Sequence, residues 1–148
     1  PGMTVKTAVA LVKEVPAGTY VGYGNTFCTK QPAKLATVPI GYADGYVRAL
    51  SNRAMMMAGD TLCPVVGKIC MDQCMIDVSN VNNIHAGDLV TVFGQQYSAH
   101  QLAHLANTIS YELLCAVGKR VPRVYRQNNQ VKEVVNPLLL EGFPTIVH

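Results

Sequence analysis

Five residues with potential for metal or proton chemistry crowd into the stretch VGKICMDQCMIDV (66–78): Cys70, Met71, Asp72, Cys74 and Met75. Thiolates and thioethers are soft ligands that suit copper(I) or zinc, so their spacing decides whether they can act together. Read as an extended strand over 66–76, the segment puts Lys68, Cys70, Asp72 and Cys74 on one face and separates Cys70 from Cys74 by ~13 Å. Two thiolates on one zinc, each at ~2.3 Å, must approach within about 4 Å of each other. Val65, Val66 and the β-branched Ile69 favour a strand over a helix. The expectation is no metal, with cysteines as small apolar fillers and methionines filling gaps. Asp72, set among apolar neighbours, is left unexplained by that reading.

His100 and His104 stand one helical turn apart, a metal-ligand spacing, but they share the polar side of their helix with Asn107. No Asp or Glu in that helix adds a ligand, so a solvated face is the better reading. The chain has no P-loop, GxGxxG or GxSxG, and GYADG is too short for a dinucleotide fingerprint. The remaining chemistry lies in tyrosines beside glycines. VGYGNTF sets Tyr23 between Gly22 and Gly24, and GYADGYVR sets Tyr42 after Gly41. Flanking glycines free the backbone to expose an aromatic head or to admit a ligand closely. Tyr111, in TISYELLC, falls at a helix N-terminus, where backbone N–H groups favour phosphate.

Strands must carry most of these residues. Runs rich in Val, Ile, Thr and Tyr recur at 4–12, 19–23, 35–40, 53–58, 62–70, 74–78 and 88–93. PAG (16–18) and AGD (58–60, 86–88) punctuate them. Such spacing predicts a small β-barrel or sandwich. Two short helices interrupt it. SAHQLAHLAN starts at Ser98 with Gln101 three residues on, the capping-box spacing, and SYELLCAVG runs from Ser110 as N-cap to Gly118 as stop. RVPRVYRQNNQVKEVV predicts a hairpin turning across Gln127–Gln130.

With 148 residues, one domain with a real core is expected. Charged residues make up 14%, below the ~25% of ordinary soluble domains. A surface with so few charges predicts burial against a partner or another domain. The net charge of +3 is spread without a basic run, which argues against nucleic acid, and no apolar stretch is long enough to span a membrane. Five cysteines, without a CxxC or an N-terminal signal, read as reduced thiols in a cytoplasmic protein. The opening PGMTVK, without an initiator methionine, reads as a piece of something longer.

VGYGNTF, VPIGYADGY with Arg48, VGKICMDQCMIDV, NTISYELLC and RVPRVY resemble, in order and spacing, the C-terminal β domain of pyridoxal-phosphate-dependent alanine racemases. The similarity runs from about Val5 to Val135, which suggests a domain over 1–137 and a tail over 138–148. It implies a mainly β domain following an N-terminal TIM-type barrel, with that barrel and the second subunit of a head-to-tail homodimer as partners. Tyr23 resembles one of two catalytic bases, Tyr42 a second tyrosine lining the site, and Met71 a residue whose backbone N–H meets the substrate carboxylate. Arg48 and Asp72 resemble polar residues at the substrate entrance, and Tyr111 a contact to the cofactor phosphate. Lys68 stands where the family commonly has arginine, so any bidentate contact there is lost.

The implied activity interconverts L- and D-alanine with pyridoxal phosphate, held by a lysine outside this chain. None of the seven lysines here lies in a motif like the family's, so an isolated domain would be inactive. Serine in place of alanine is an alternative, since an apolar pocket rejects an added hydroxyl only weakly. A non-catalytic β module for dimerisation or ligand binding is another. Membrane contact is not expected from this domain, and any anchor of the parent protein would lie outside it.

Overall fold

The first strand-like run breaks in two, and that break organises the fold. In the computed structural model, which describes residues 2–136, β1 (Val5–Ala8) and β2 (Leu11–Val15) form the opposite edges of one antiparallel sheet. The other members are β5 (Ala33–Val38), β6 (Met55–Ala58), β7 (Thr61–Val66), β8 (Cys74–Asp77) and β9 (Leu89–Phe93), in the order β1-β9-β6-β7-β8-β5-β2. Because its edge strands are consecutive in the chain, the sheet must curl until its edges meet at Val9–Ala10. There the Val9 N–H donates to Asp88 (2.8 Å) and the Ala10 N–H to Thr37 (2.9 Å), one bond toward each side. The mainly β expectation holds, as a curled half-barrel.

Alternation along the strands fills the interior. The pairs Val38↔Cys74, Ala36↔Ile76 and Val65↔Ile76 are in register, and all five side chains are buried beside Met56, Val90 and Val92. A two-stranded ribbon, β3 (Tyr20–Val21) with β4 (Phe27–Cys28), covers the outer face, burying Val21 with Val15, Leu35 and Val66. α1 (Ala99–Leu105) and α2 (Ser110–Ala116) pack together, with Leu102, Ala103 and Leu113 in the core. β10 (Arg123–Gln127) and β11 (Gln130–Val135) form the expected hairpin. Asn128 and Asn129, at φ 52° and 61°, make its tight turn in the left-handed region that asparagine tolerates.

Three local expectations need correction. Residues 66–76 are not a single strand: β7 ends at Val66 and β8 begins at Cys74, so 67–73 is a connection between antiparallel neighbours. The break comes at Gly67, whose φ of 81° leaves the β region. Tyr23 follows a strand that stops at Val21 and sits in a tight helical turn over Tyr23–Asn25. The N-cap of α2 is Ile109 rather than Ser110, without a side-chain cap, whereas Ser98 caps α1 as the spacing predicts. The Ser98 hydroxyl accepts from the Gln101 N–H (3.1 Å) and the Gln101 amide oxygen from the Ser98 N–H (2.9 Å). The 138–148 tail lies outside the described residues.

Candidate active site

The connection 67–73 is the wall on which both glycine–tyrosine turns are built. A β-carbon on Gly67 would stand 2.6 Å from the Val21 carbonyl oxygen, and one on Gly22 would stand 3.1 Å from the Lys68 nitrogen. The two backbones therefore touch, and this contact swings Tyr23 outward. Tyr23 is 75% exposed. Lys68 crosses the same turn, its Nζ 3.7 Å from where a β-carbon on Gly24 would be. It brings a positive charge to the turn that holds Tyr23. Asn52 and Ser51 brace the wall from behind, accepting from the Gly67 N–H (2.6 Å) and the Ile69 N–H (2.8 Å).

Two residues further on, the Tyr42 turn docks against the same wall. The Cys70 and Met71 carbonyls accept from the Tyr42 and Ala43 N–H groups, both at 3.0 Å. A trans peptide directs its N–H opposite to its C=O, and no described peptide is cis. The N–H groups of Met71 and Asp72 therefore face away from the Tyr42 turn, and neither has a partner among the described residues. Two successive free N–H groups form a concavity suited to an anion. The Met71 side chain and the Tyr42 ring stay exposed beside it.

Asp44 and Arg120 lock this arrangement. One Asp44 carboxylate oxygen accepts the Gly41 N–H (3.0 Å), and the other accepts from Arg120 Nε (2.7 Å). Arg120 Nη2 reaches the Asp72 carboxylate. The guanidinium is thereby held above its usual range, by Asp44 first and Asp72 second. The Asp44 carbonyl accepts the Gly118 N–H (3.1 Å), which ties the turn to the end of α2. Arg120 was not singled out in the sequence. Its partners are 48 and 76 residues away, and no local spacing announces them.

The structure thus brings Tyr23, Tyr42, Met71 and Asp72 onto one wall. Arg48 is exposed in the turn Arg48–Leu50; its carbonyl accepts the Ser51 N–H (3.0 Å), and its side chain makes no hydrogen bond or ion pair among the described residues. Tyr111 stands exposed on the first turn of α2, about 7.5 Å along the axis from the Ala116 end that meets Gly45. His100 and His104 lie on the exposed side of α1, opposite Leu102 and Ala103.

Because 67–73 is a connection, extended-strand spacing does not hold Cys70 and Cys74 apart. A different obstacle takes its place: Cys74 is buried among core side chains, and burial, with a smaller contribution from Cys70, pushes its thiol up to about 12. A ligand must be a thiolate, so Cys74 would have to leave the core to serve. No group of three or more His, Cys, Asp and Glu among the described residues is placed to hold a metal.

The tyrosine wall is open surface. Behind it lies a cavity of about 220 Å³ under Tyr20–Gly22 and Lys68. The larger clefts are elsewhere: about 460 Å³ between Phe27–Gln31 and Asp77–Asn80, and about 540 Å³ between the Gly2–Lys6 segment and Pro122–Arg126. Neither holds the residues just described. No helix among the described residues is long and apolar enough to cross a membrane.

Residues 2–125 match the family described as alanine racemase, C-terminal domain. An alanine racemase of Clostridium perfringens is 44% identical over 140 residues, 92% of this chain and 36% of that protein. Among solved structures, alanine racemase of Clostridium difficile 630 in complex with cycloserine superposes with a TM-score of 0.89 at 38% identity, covering 94% of this chain and 37% of that one. Alanine racemase of Bartonella henselae with covalently bound pyridoxal phosphate gives 0.81 at 35% identity, covering 83% and 34%. The chain therefore spans about a third of the length of the relatives it matches. With the curled β domain, the two glycine–tyrosine turns and the Met71–Asp72 wall all in place, this chain belongs to the alanine racemase C-terminal domain family.

Proposed function

We propose that this chain supplies one half of an alanine racemase active site, completed by a barrel domain and a second subunit outside it. The observation that carries the proposal is the exposure of the wall. Tyr23 at 75%, Met71 at 53% and Tyr42 at 43% exposed are built on tightly packed backbone yet face solvent. Side chains held this firmly and left uncovered suit a site that another body closes.

Tyr23 is the proton base in this reading. Its phenolate takes the α-proton of L-alanine, becoming the phenol, and the phenol returns a proton to the same face when the reaction runs from D-alanine. A tyrosine serves near neutral pH only if its pKa falls from ~10 toward 7, about 4 kcal/mol in favour of the phenolate. Lys68 lies over the Tyr23–Gly24 turn, and exclusion of water on closure strengthens any charge interaction inside the site. The Met71 N–H receives the substrate carboxylate, Tyr42 lines the site, and Arg48 and Asp72 flank the entrance.

The cofactor this reading requires is pyridoxal phosphate, which when bound withdraws electrons from the α-carbon and makes its proton acidic. Tyr111 fits its phosphate end: the phenol is exposed and donates to nothing among the described residues. None of the seven lysines lies in a motif like the one that holds the cofactor in the family, so in this reading the lysine comes from outside this chain.

The test uses the full-length protein. Tyr23→Phe keeps the ring and removes the ionisable oxygen, so solvent-deuterium exchange at the α-carbon should fall much more for L-alanine than for D-alanine. Equal losses for both enantiomers would sink Tyr23 as the face-specific base. Absence of alanine racemisation by the wild type would sink the function itself.

A further inference from the structure

We infer that Arg120 is a positioning residue that makes the Met71 peptide able to receive a carboxylate. The inference rests on the proposed role of the Met71 N–H and adds the group that keeps that N–H usable. Asp72 follows the donor directly in the chain, and its own N–H faces the same side. An unpaired carboxylate here would oppose any incoming anion. Arg120 is the cation that answers it, through Nη2.

The same guanidinium fixes where the peptide stands. Nε holds Asp44, whose second oxygen caps the Gly41 N–H (3.0 Å) and so shapes the turn that receives the Cys70 and Met71 carbonyls. One planar side chain thus joins the receiving turn to the residue after the donor. Its two nitrogens are fixed relative to each other, which an ammonium cannot reproduce. The Arg120 side chain retains 38% of its surface and Asp44 only 12%, so the anchored end is Asp44 and the end near solvent is Asp72. An incoming carboxylate would meet a neutralised Asp72 and two N–H groups already aimed at it.

The experiment reads the Met71 amide directly. The full-length, cofactor-loaded protein is labelled with ¹⁵N-methionine, and propionate, a carboxylate without the amino group, is titrated in. In the wild type, propionate should shift the Met71 amide resonance, assigned by its loss in Met71→Leu. Arg120→Met should weaken propionate by about tenfold and raise the KM for alanine similarly, with a much smaller change in kcat. Arg120→Lys should recover only part of the loss. Adding Asp72→Asn to Arg120→Met should recover affinity by removing the opposing charge. An unchanged propionate affinity in Arg120→Met overturns the inference, as does a wild-type Met71 amide that ignores propionate. Racemisation by the wild type, assayed separately, reports on the underlying function, so failure of the one is told apart from failure of the other.

Discussion

A β-carbon placed on Gly41 would stand 2.1 Å from the Cys70 carbonyl oxygen. Gly41 has φ −150°, extended backbone open to any residue, so close approach alone requires glycine there. Gly41→Ala should force the Tyr42 turn off the wall, costing about 1–3 kcal/mol of stability as an overpacked contact. In the full-length protein, racemisation should fall at least about tenfold, because a displacement near 1 Å in a site is worth far more in rate than in folding. Gly59→Ala is the control: with φ +60° and nothing within 4 Å, it should lower the melting temperature through backbone strain and leave the rate constants unchanged. Thermal melts and rate measurements on both variants decide the matter, and an active Gly41→Ala enzyme would show the contact to be incidental.

Cys74 makes stability depend on pH at the alkaline end. Its thiol is pushed up to about 12 from an ordinary value of 9.0. As pH rises, the unfolded thiol loses its proton first, so above about pH 9 the unfolded state binds fewer protons and stability falls. The contribution is intact below pH 9 and gone by pH 12, a span of about 4 kcal/mol. Urea midpoints at pH 8, 9.5 and 10.5 should drop more steeply for the wild type than for Cys74→Ala. Matching slopes would mean that water reaches the thiol.

The same burial governs thiol chemistry. At pH 8, a small alkylating reagent should modify the exposed Cys28 and Cys115 quickly, while Cys63 and Cys74 react only as the protein opens. Protein purified without chelator should carry well under one equivalent of zinc or copper. A stoichiometric metal lost on Cys74→Ala would show that Cys74 leaves the core.

How much of this could be read in the sequence depended on how local each cause is. The Ser98–Gln101 capping box and the Asn128–Asn129 turn follow from neighbouring residues, and both formed where spacing put them. The end of β7 at Val66 was harder, because Val65, Val66 and Ile69 share strand propensity with the residues before them. What stops the strand is Gly67 meeting Val21, 46 residues earlier in the chain. Tyr23 and Tyr42 were visible as chemistry beside glycines, and Met71 through the family resemblance, but their common wall was not. Arg120 opens RVPRVY, one of the stretches that carry the family resemblance, but nothing local gave it a role, since a guanidinium flanked by Lys119 and Val121 looks like any surface arginine until Asp44 and Asp72 arrive from elsewhere.

Whether Tyr23 serves its own subunit or the other can be decided by mixing two inactive full-length proteins. If the exposed Tyr23 and Met71 reach the barrel of the second subunit, while the cofactor lysine stays with its own barrel, each site draws on two chains. One mutant lacks the lysine; the other carries Tyr23→Phe. In a mixed dimer, one site then receives both defects and the other receives neither, as two-fold symmetry requires. Random exchange puts about half of the molecules into mixed dimers with one intact site of two, so activity should return to about a quarter of wild type. If Tyr23 served its own subunit, every site would keep one defect and the mixture would stay inactive. Subunit exchange must itself be demonstrated, by native mass spectrometry on one isotopically labelled partner, so that silence in the assay counts against the crossover and not against the mixing.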